Sequence, residues 1–139
     1  MDRNAASRPA KSAAMPIERL RKRPQFLHVA KGEKAAMPGL ILQARLRPDP
    51  DEVQSAPEGI RIGYTATRKI GGAVVRNRTK RRLRAAAQIV LPEYGRKGFD
   101  YVLVGRTTTS VRAFDALCAD LQKALVRIHQ EPKAVNKTR

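Results

Sequence analysis

The chain changes its hydrophobic period at a pair of glycines, Gly71-Gly72. Before the pair, apolar residues alternate with polar or small ones, which is typical of a half-buried strand. After the pair, apolar residues recur at helical spacing until Pro92. We predict a strand over residues 60–70 and a helix over residues 73–91. A chain with this unit must pack a helix against a sheet.

The predicted helix is strongly basic. Residues 76–84 hold six Arg or Lys in nine positions, and no acid occurs between Gly59 and Pro92. In an ordinary solvated helix, acids would interleave at four-residue spacing and form supporting ion pairs. On a helical wheel, one apolar stripe can pack on a sheet while the remaining surface is cationic. A solvated charged face is the plain alternative, but the absence of acids favours a polyanionic partner.

The whole composition points to the same partner. The chain has 139 residues, enough for one domain, and a net charge of +17. Nucleic acid is the expected ligand for such a charge, ahead of an anionic membrane surface. No apolar run approaches the ~20 residues of a spanning helix. A single cysteine excludes an intrachain disulfide.

The remaining elements follow from local signals. The predictions are a helix over 16–31 interrupted at Pro24, a strand over 39–46, an acidic loop over 48–59, a strand over 99–106 and a last helix over 107–129 capped by Ser110. We expect one domain over 16–130, between disordered basic tails at 1–15 and 131–139. Met1 and Met15 both remain possible start residues.

The candidate binding residues lie on the basic helix and just before it. They are Arg68, Lys69, Arg76, Asn77, Arg78, Lys80, Arg81, Arg82 and Arg84. Arginine dominates, and its planar fork matches phosphate oxygens and stacks on bases. Asn77 can both donate and accept hydrogen bonds. It is suited to contact a base edge, a 2′-hydroxyl or a metal-bound water, and equally to form local hydrogen bonds among its basic neighbours. Composition alone does not decide between DNA and RNA.

The run RIGYTATRKIGGAVVRNRTKRRLRAA, residues 61–86, resembles the signature of the bacterial ribonuclease P protein subunit. The matching elements are a strand ending in Thr67-Arg68-Lys69, the glycine turn, Ala73-Val74, Arg76-Asn77-Arg78, Lys80-Arg81-Arg82 and Arg84. The likeness is looser elsewhere and covers residues 16–128.

The resemblance implies a single small α+β domain of order αβββαβα. Its mixed sheet would contain an unusual left-handed βαβ crossover around the Arg-rich helix, and its fourth strand would lie near residues 33–37. The implied function is that of a cytoplasmic protein cofactor of catalytic-RNA ribonuclease P. The RNA subunit carries the active site and, with Mg²⁺, hydrolyses the 5′ leader from precursor tRNA. The implied partners are the catalytic RNA and precursor tRNA, with no membrane and no obligate protein partner.

The family also holds the leader in a cleft between its first helix and the sheet. Here the implied cleft residues are Phe26, Arg61 and Tyr64, although alternation also favours the core for Tyr64. Two positions that are often aromatic in the family are Ala30 and Gln43. Leader binding in this chain is therefore expected to depend more on charge and on Phe26.

Two other classes of function compete. A ribosomal or general RNA-binding protein would explain the charge but not the specific run at residues 61–86. A nuclease acting by itself would need clustered carboxylates for a metal site. Asp100, Asp115 and Asp120 are predicted to be solvated and separate, so we assign no catalytic and no metal-binding residue to this chain.

Overall fold

The computed structural model describes residues 17–46 and 59–134, with side chains described as far as His129. The predicted tail at residues 1–15 lies outside these residues, and so does the predicted acidic loop except for Gly59. The predicted disordered tail at 131–139 is corrected in part, because residues 131–134 continue the last helix, and the rest of it lies outside the described residues.

Five strands form one mixed sheet, in the spatial order β1-β4-β5-β3-β2. They are β1 (Ile17–Arg19), β2 (Glu33–Ala36), β3 (Leu40–Leu46), β4 (Ile60–Thr65) and β5 (Phe99–Gly105). The pairs β1–β4 and β4–β5 are parallel, and the pairs β2–β3 and β3–β5 are antiparallel. The two central parallel strands, β4 and β5, are consecutive in the chain, so a crossover connection joins them.

Three helices cover the two faces of this sheet: α1 (Arg23–Ala30), α2 (Ala73–Tyr94) and α3 (Phe114–Ala134). Val29 of α1 clusters with Val102 of β5, whereas the next residue of β5, Leu103, clusters with α2 and α3. Successive side chains of a strand point to opposite faces. Helix α1 therefore lies on one face and α2 and α3 on the other, which confirms the predicted α+β class.

Residues 17–19 correct the predicted order of elements. They were expected to begin the first helix, but Ile17 pairs with Ile60 and Arg19 with Ile62 at the edge of the sheet. Helix α1 begins only at Arg23, with Pro24 in its first turn, where the missing N–H costs no hydrogen bond. The order is therefore βαβββαβα, with one strand more than predicted. The strand implied near residues 33–37 is confirmed as β2.

Both ends of the basic unit also differ from prediction. Strand β4 stops at Thr65, and Arg68–Ile70 form a 3-10 turn instead of its last residues. At the other end, Pro92 lies inside α2 and does not stop it. It removes only one donor near the helix end, and the fully buried Leu91 accepts the N–H of Gly95 at 2.8 Å. Packing of this last turn outweighs the local cost of the proline.

The last helix begins later than predicted. Ser110 is not its cap, because it lies in a loop and the helix starts at Phe114. The apolar stripe is confirmed, since Leu117, Leu121 and Leu125 are fully buried on the sheet.

Candidate nucleic-acid interface

Helix α2 is fixed on the sheet by one apolar side. Its buried residues are Thr79, Leu83, Ala86, Ala87, Val90 and Leu91. Thr79 comes so close to β5 that a Cβ on Gly105 would stand 2.4 Å from its methyl group. The absence of that Cβ lets the helix lie against the end of β5. The cationic side of α2 is thereby turned away from the sheet.

The turn before α2 sets where the helix begins. Gly71 has a φ of 145°, a backbone conformation that side chains disfavour, and Gly72 precedes the first helical residue. The 3-10 turn leaves Arg68 and Lys69 exposed beside the start of the helix. The sequence placed these two residues on a strand, but their closeness to the basic helix is as expected.

The structure brings the nine predicted binding residues together on this turn and the first three turns of α2. Their exposure divides them. Five are exposed: Arg68, Lys69, Asn77, Arg78 and Arg81. Four are partly buried: Arg76, Lys80, Arg82 and Arg84. The exposed five, which we call the basic surface, can reach a partner without any rearrangement.

Arg82 forms hydrogen bonds within the protein. Its Nε donates to the carbonyl of Thr109 at 3.0 Å, and a terminal nitrogen donates to the carbonyl of Arg112. Its guanidinium also lies 6.0 Å from the ring centre of Phe114. One turn earlier, Arg78 donates its Nε to the carbonyl of Ser110 at 3.1 Å. Two arginines of the basic helix therefore fasten the loop between β5 and α3.

That loop is held from its other side as well. Arg106 donates to the carbonyl of Met37 at 2.8 Å, and the hydroxyls of Thr108 and Thr109 each donate to a carbonyl in residues 38–39 at 2.6 Å. This clamp was not predicted from the sequence. The one local signal for it is that Arg78 and Arg82 are four residues apart and so lie on the same side of the helix.

Tyr64 lies beside the basic helix and not in the predicted cleft. Its ring packs against the hydrophobic cluster that includes residues of α2 and α3. The guanidinium groups of Arg84 and Arg19 lie over the ring, 5.6 and 5.8 Å from its centre. Burial raises the pKa of its hydroxyl. The Nε atoms of Arg84 and Arg76 are buried and have no hydrogen-bond partner among the described residues.

Phe26 and Arg61 share the opposite face, which α1 covers. Phe26 lies so close to Gly63 that a Cβ there would stand 2.5 Å from its ring. Arg61 makes a two-pronged ion pair with Asp100, at 2.8 and 2.5 Å. The three predicted cleft residues are therefore not brought together. Arg61 and Gly63 point to the face that α1 covers, whereas Tyr64 points to the face that α2 and α3 cover.

Two carboxylates predicted to be solvated are buried. The side chain of Asp100 is 2% exposed in its pair with Arg61, and that of Asp120 is 5% exposed in a pair with Arg112 at 2.6 Å. Both acids neutralise an arginine inside the fold, which single-sequence patterns do not reveal because the partners are distant in the chain. Only Asp115 is exposed as predicted.

Residues 17–46 and 59–134 contain no group of three or more His, Cys, Asp and Glu side chains arranged to hold a metal. Within the same part of the chain, no helix has the length and hydropathy needed to cross a bilayer.

The sequence model of the family described as Ribonuclease P matches residues 15–129. The ribonuclease P protein component of Ruegeria pomeroyi is 48% identical over 118 residues, covering 84% of this chain and 90% of that protein. The protein of the same name from Gluconacetobacter diazotrophicus is 50% identical over 108 residues, covering 77% and 87%. Among solved structures, the ribonuclease P protein of Thermotoga maritima is similar with a TM-score of 0.61 and 28% identity, covering 79% of this chain and 96% of that one.

Proposed function

From the membership of this chain in the ribonuclease P protein family, we propose that it is the protein cofactor of a catalytic RNA that removes the 5′ leader from precursor tRNA. In this proposal the chain binds both the RNA subunit and the leader, and it works in the cytoplasm without an obligate protein partner. The RNA carries the hydrolytic chemistry.

The observation that carries the proposal is the basic surface of α2 and its preceding turn. Five exposed side chains, four of them cationic, lie on this turn and on a helix whose opposite side is fixed in the core. The clamp by Arg78 and Arg82 holds the neighbouring loop, so the surface is ordered before RNA arrives. Each phosphate it contacts releases condensed counterions, which favours binding.

The leader is proposed to bind on the face that α1 covers. Phe26 is the aromatic side chain available there for a base to stack on. Arg61 is mostly buried in its pair with Asp100, so its main contribution is to fix the sheet under Phe26. Exposed Ala30 and half-buried Gln43 replace two aromatic side chains, which leaves stacking to Phe26.

Magnesium belongs to the RNA in this proposal. The ion supplies charge neutralisation and an activated water for phosphodiester hydrolysis. The described residues offer no cluster of ligands that fits such an ion, so no residue of the chain is assigned to it. The protein's own contribution is to bind, to orient and to neutralise phosphate charge.

The test is leader cleavage by the cognate catalytic RNA at low magnesium, with and without this protein. We expect strong stimulation by the wild-type chain and its loss when Arg76, Asn77 and Arg78 are replaced with Ala. Because Arg78 also holds Ser110, a second variant replaces only exposed cations: Arg68→Ala, Lys69→Ala and Arg81→Ala. A matched control replaces exposed cations on the outer side of α3, Lys123→Ala and Arg127→Ala.

The outcomes separate the alternatives. Loss of stimulation in both α2 variants, with the control active, supports the cofactor role and the site. Stimulation that survives both variants keeps the function and moves the RNA contact elsewhere. Absence of any stimulation, with RNA binding intact, overturns the proposal in favour of a general RNA-binding protein.

A further inference from the structure

A cavity of about 670 Å³ lies at the end of the sheet opposite the start of α2. It opens where β3 ends at Leu46 and β5 begins at Phe99, which pair in register. The turn after α1 and the end of α3 complete its walls. None of the residues predicted to bind RNA lines it, so it is separate from the basic surface.

The charges around the cavity favour an anion. Four cations line it, Lys31, Lys34, Arg45 and Arg96, against one acid, Glu33. These cations come from three separate segments of the chain, residues 31–34, Arg45 and Arg96. Their convergence is therefore produced by the fold and not by a run of basic sequence.

Part of the lining of the cavity is apolar and aromatic. Leu46, Phe99 and Ile128 contribute to it, and the ring of Phe99 meets the ring of His129 edge-on at 4.7 Å. A lining that combines apolar side chains with cations suits a ligand that has both a flat ring and phosphate charge, which is the chemistry of a nucleotide.

His129 also lines the cavity. The hydroxyl oxygen of Tyr101 accepts the backbone N–H of Arg96 at 2.9 Å and also forms a hydrogen bond with Nε2 of His129 at 2.7 Å. This bond holds the imidazole ring in place and leaves Nδ1 as the ring nitrogen that it does not use. His129 is 9% exposed.

Arg45 links the cavity to α1. Arg45 lines the cavity and also donates to the carbonyl of His28 on α1 at 3.2 Å. An RNA strand that passes Phe26 and follows α1 toward its end therefore arrives at Lys31 and the cavity mouth.

We propose that this cavity is a second binding subsite for single-stranded RNA, which takes a nucleotide of the leader beyond those held beside Phe26. The base packs on Phe99 and forms a hydrogen bond with Nδ1 of His129, while Arg45, Lys34 and Arg96 bind flanking phosphates. The proposal rests on the proposed function for its occupant. It adds a length-dependent contribution to leader affinity.

The experiment measures the affinity of the holoenzyme for precursor tRNAs with a graded series of leader lengths. The cavity variant is Lys34→Gln with Arg96→Gln, both exposed positions. The matched control, Lys123→Gln with Arg127→Gln, removes the same charge from exposed positions outside the cavity. A photoreactive nucleotide placed along the longest leader locates the contact by crosslinking.

The wild-type holoenzyme is expected to bind long leaders more tightly than short ones. The cavity variant should lose roughly three- to tenfold in affinity for long leaders only, and its salt dependence should fall by about 1.4 in slope for two lost phosphate contacts. The control should match the wild type. The crosslink should fall on the peptides that contain Phe99 and His129.

Two results would overturn the subsite. One is equal loss for short and long leaders, and the other is equal loss in the cavity variant and its control. Failure of the wild type to favour precursor over mature tRNA would instead remove the proposed function itself.

Discussion

Phe26 is the residue whose replacement tests the leader-binding face most directly. We expect Phe26→Ala to weaken precursor tRNA binding by about 1–3 kcal/mol, the value of one stacked base, and to leave mature tRNA binding unchanged. The measurement is holoenzyme affinity for both RNAs. The control is Leu27→Ala, an exposed neighbour on the same helix. Equal losses for the two RNAs would show that Phe26 acts only by packing on Gly63.

His129 makes stability depend on pH. Burial, assisted by the charge of Arg96, lowers its pKa to about 4. In the unfolded chain a histidine titrates near pH ~6.5, so between these values the unfolded state binds more protons. Stability present above that range is therefore lost as the pH falls from about 6.5 toward about 4.

The corresponding measurement is the urea midpoint at about pH 7.5 and about pH 5. The wild type should lose more stability on acidification than His129→Gln, which keeps an acceptor for the Tyr101 hydroxyl but cannot be protonated. Parallel losses in the two proteins would mean that other groups cause the acid sensitivity.

At the scale of elements, the glycine turn and α2 depend on one of the two glycines. Gly71 has a φ of 145°, and a Cβ there would stand 2.9 Å from the Cβ of Val75. Gly72 has an ordinary φ of −78° and open space around it. We expect Gly71→Ala to lower the free energy of unfolding by about 1–3 kcal/mol and Gly72→Ala to change it far less. Chemical denaturation of the two variants checks this, and equal losses would contradict it.

Arg81 and Arg82 are neighbours on α2 with different tasks. Arg81 is exposed, whereas Arg82 donates to two carbonyls of the loop before α3. We expect Arg82→Ala to lower the melting temperature and RNA affinity together, because the loop carbonyls lose their partner. Arg81→Ala should lower only RNA affinity, and with it the salt dependence. If the two variants show the same melting temperature, the clamp does not stabilise the fold.

For the whole molecule, the main consequence of the sequence is self-repulsion. A net charge of +17 disfavours the compact state, and anions bound to the folded chain relieve it. Sulfate or phosphate is therefore expected to raise the melting temperature. Sodium chloride at matched ionic strength is the control. A shift no larger than the one chloride produces would remove specific anion binding from the explanation.

The fold was predictable where local patterns agree with burial. The stripe of α3 and the apolar side of α2 are periodic, and both are in the core as predicted. Residues 17–19 were not predictable, because a three-residue edge strand has no period of its own and depends on β4 for its partner. The prediction that Pro92 ends the helix was wrong for a related reason, because the burial of Leu91 that stabilises the last turn is not visible in the sequence.

The same distinction applies to the predicted binding residues. A run of cations without acids is a property of the sequence, and it identified the nine residues of the basic helix and its turn. Which of them face outward was decided by tertiary contacts. Arg82 donates hydrogen bonds to the loop before α3. Arg61 forms an ion pair with Asp100, which lies on a strand that is distant in sequence.

The sequence by itself determined the cationic charge, the helix that presents it and the family, because charge and period are carried by neighbouring residues. Only the tertiary structure decided that Tyr64 and Phe26 lie on opposite faces and that cations from three separate segments converge on one cavity. These features depend on strand pairing and on contacts between residues far apart in the chain. No local pattern contains that information.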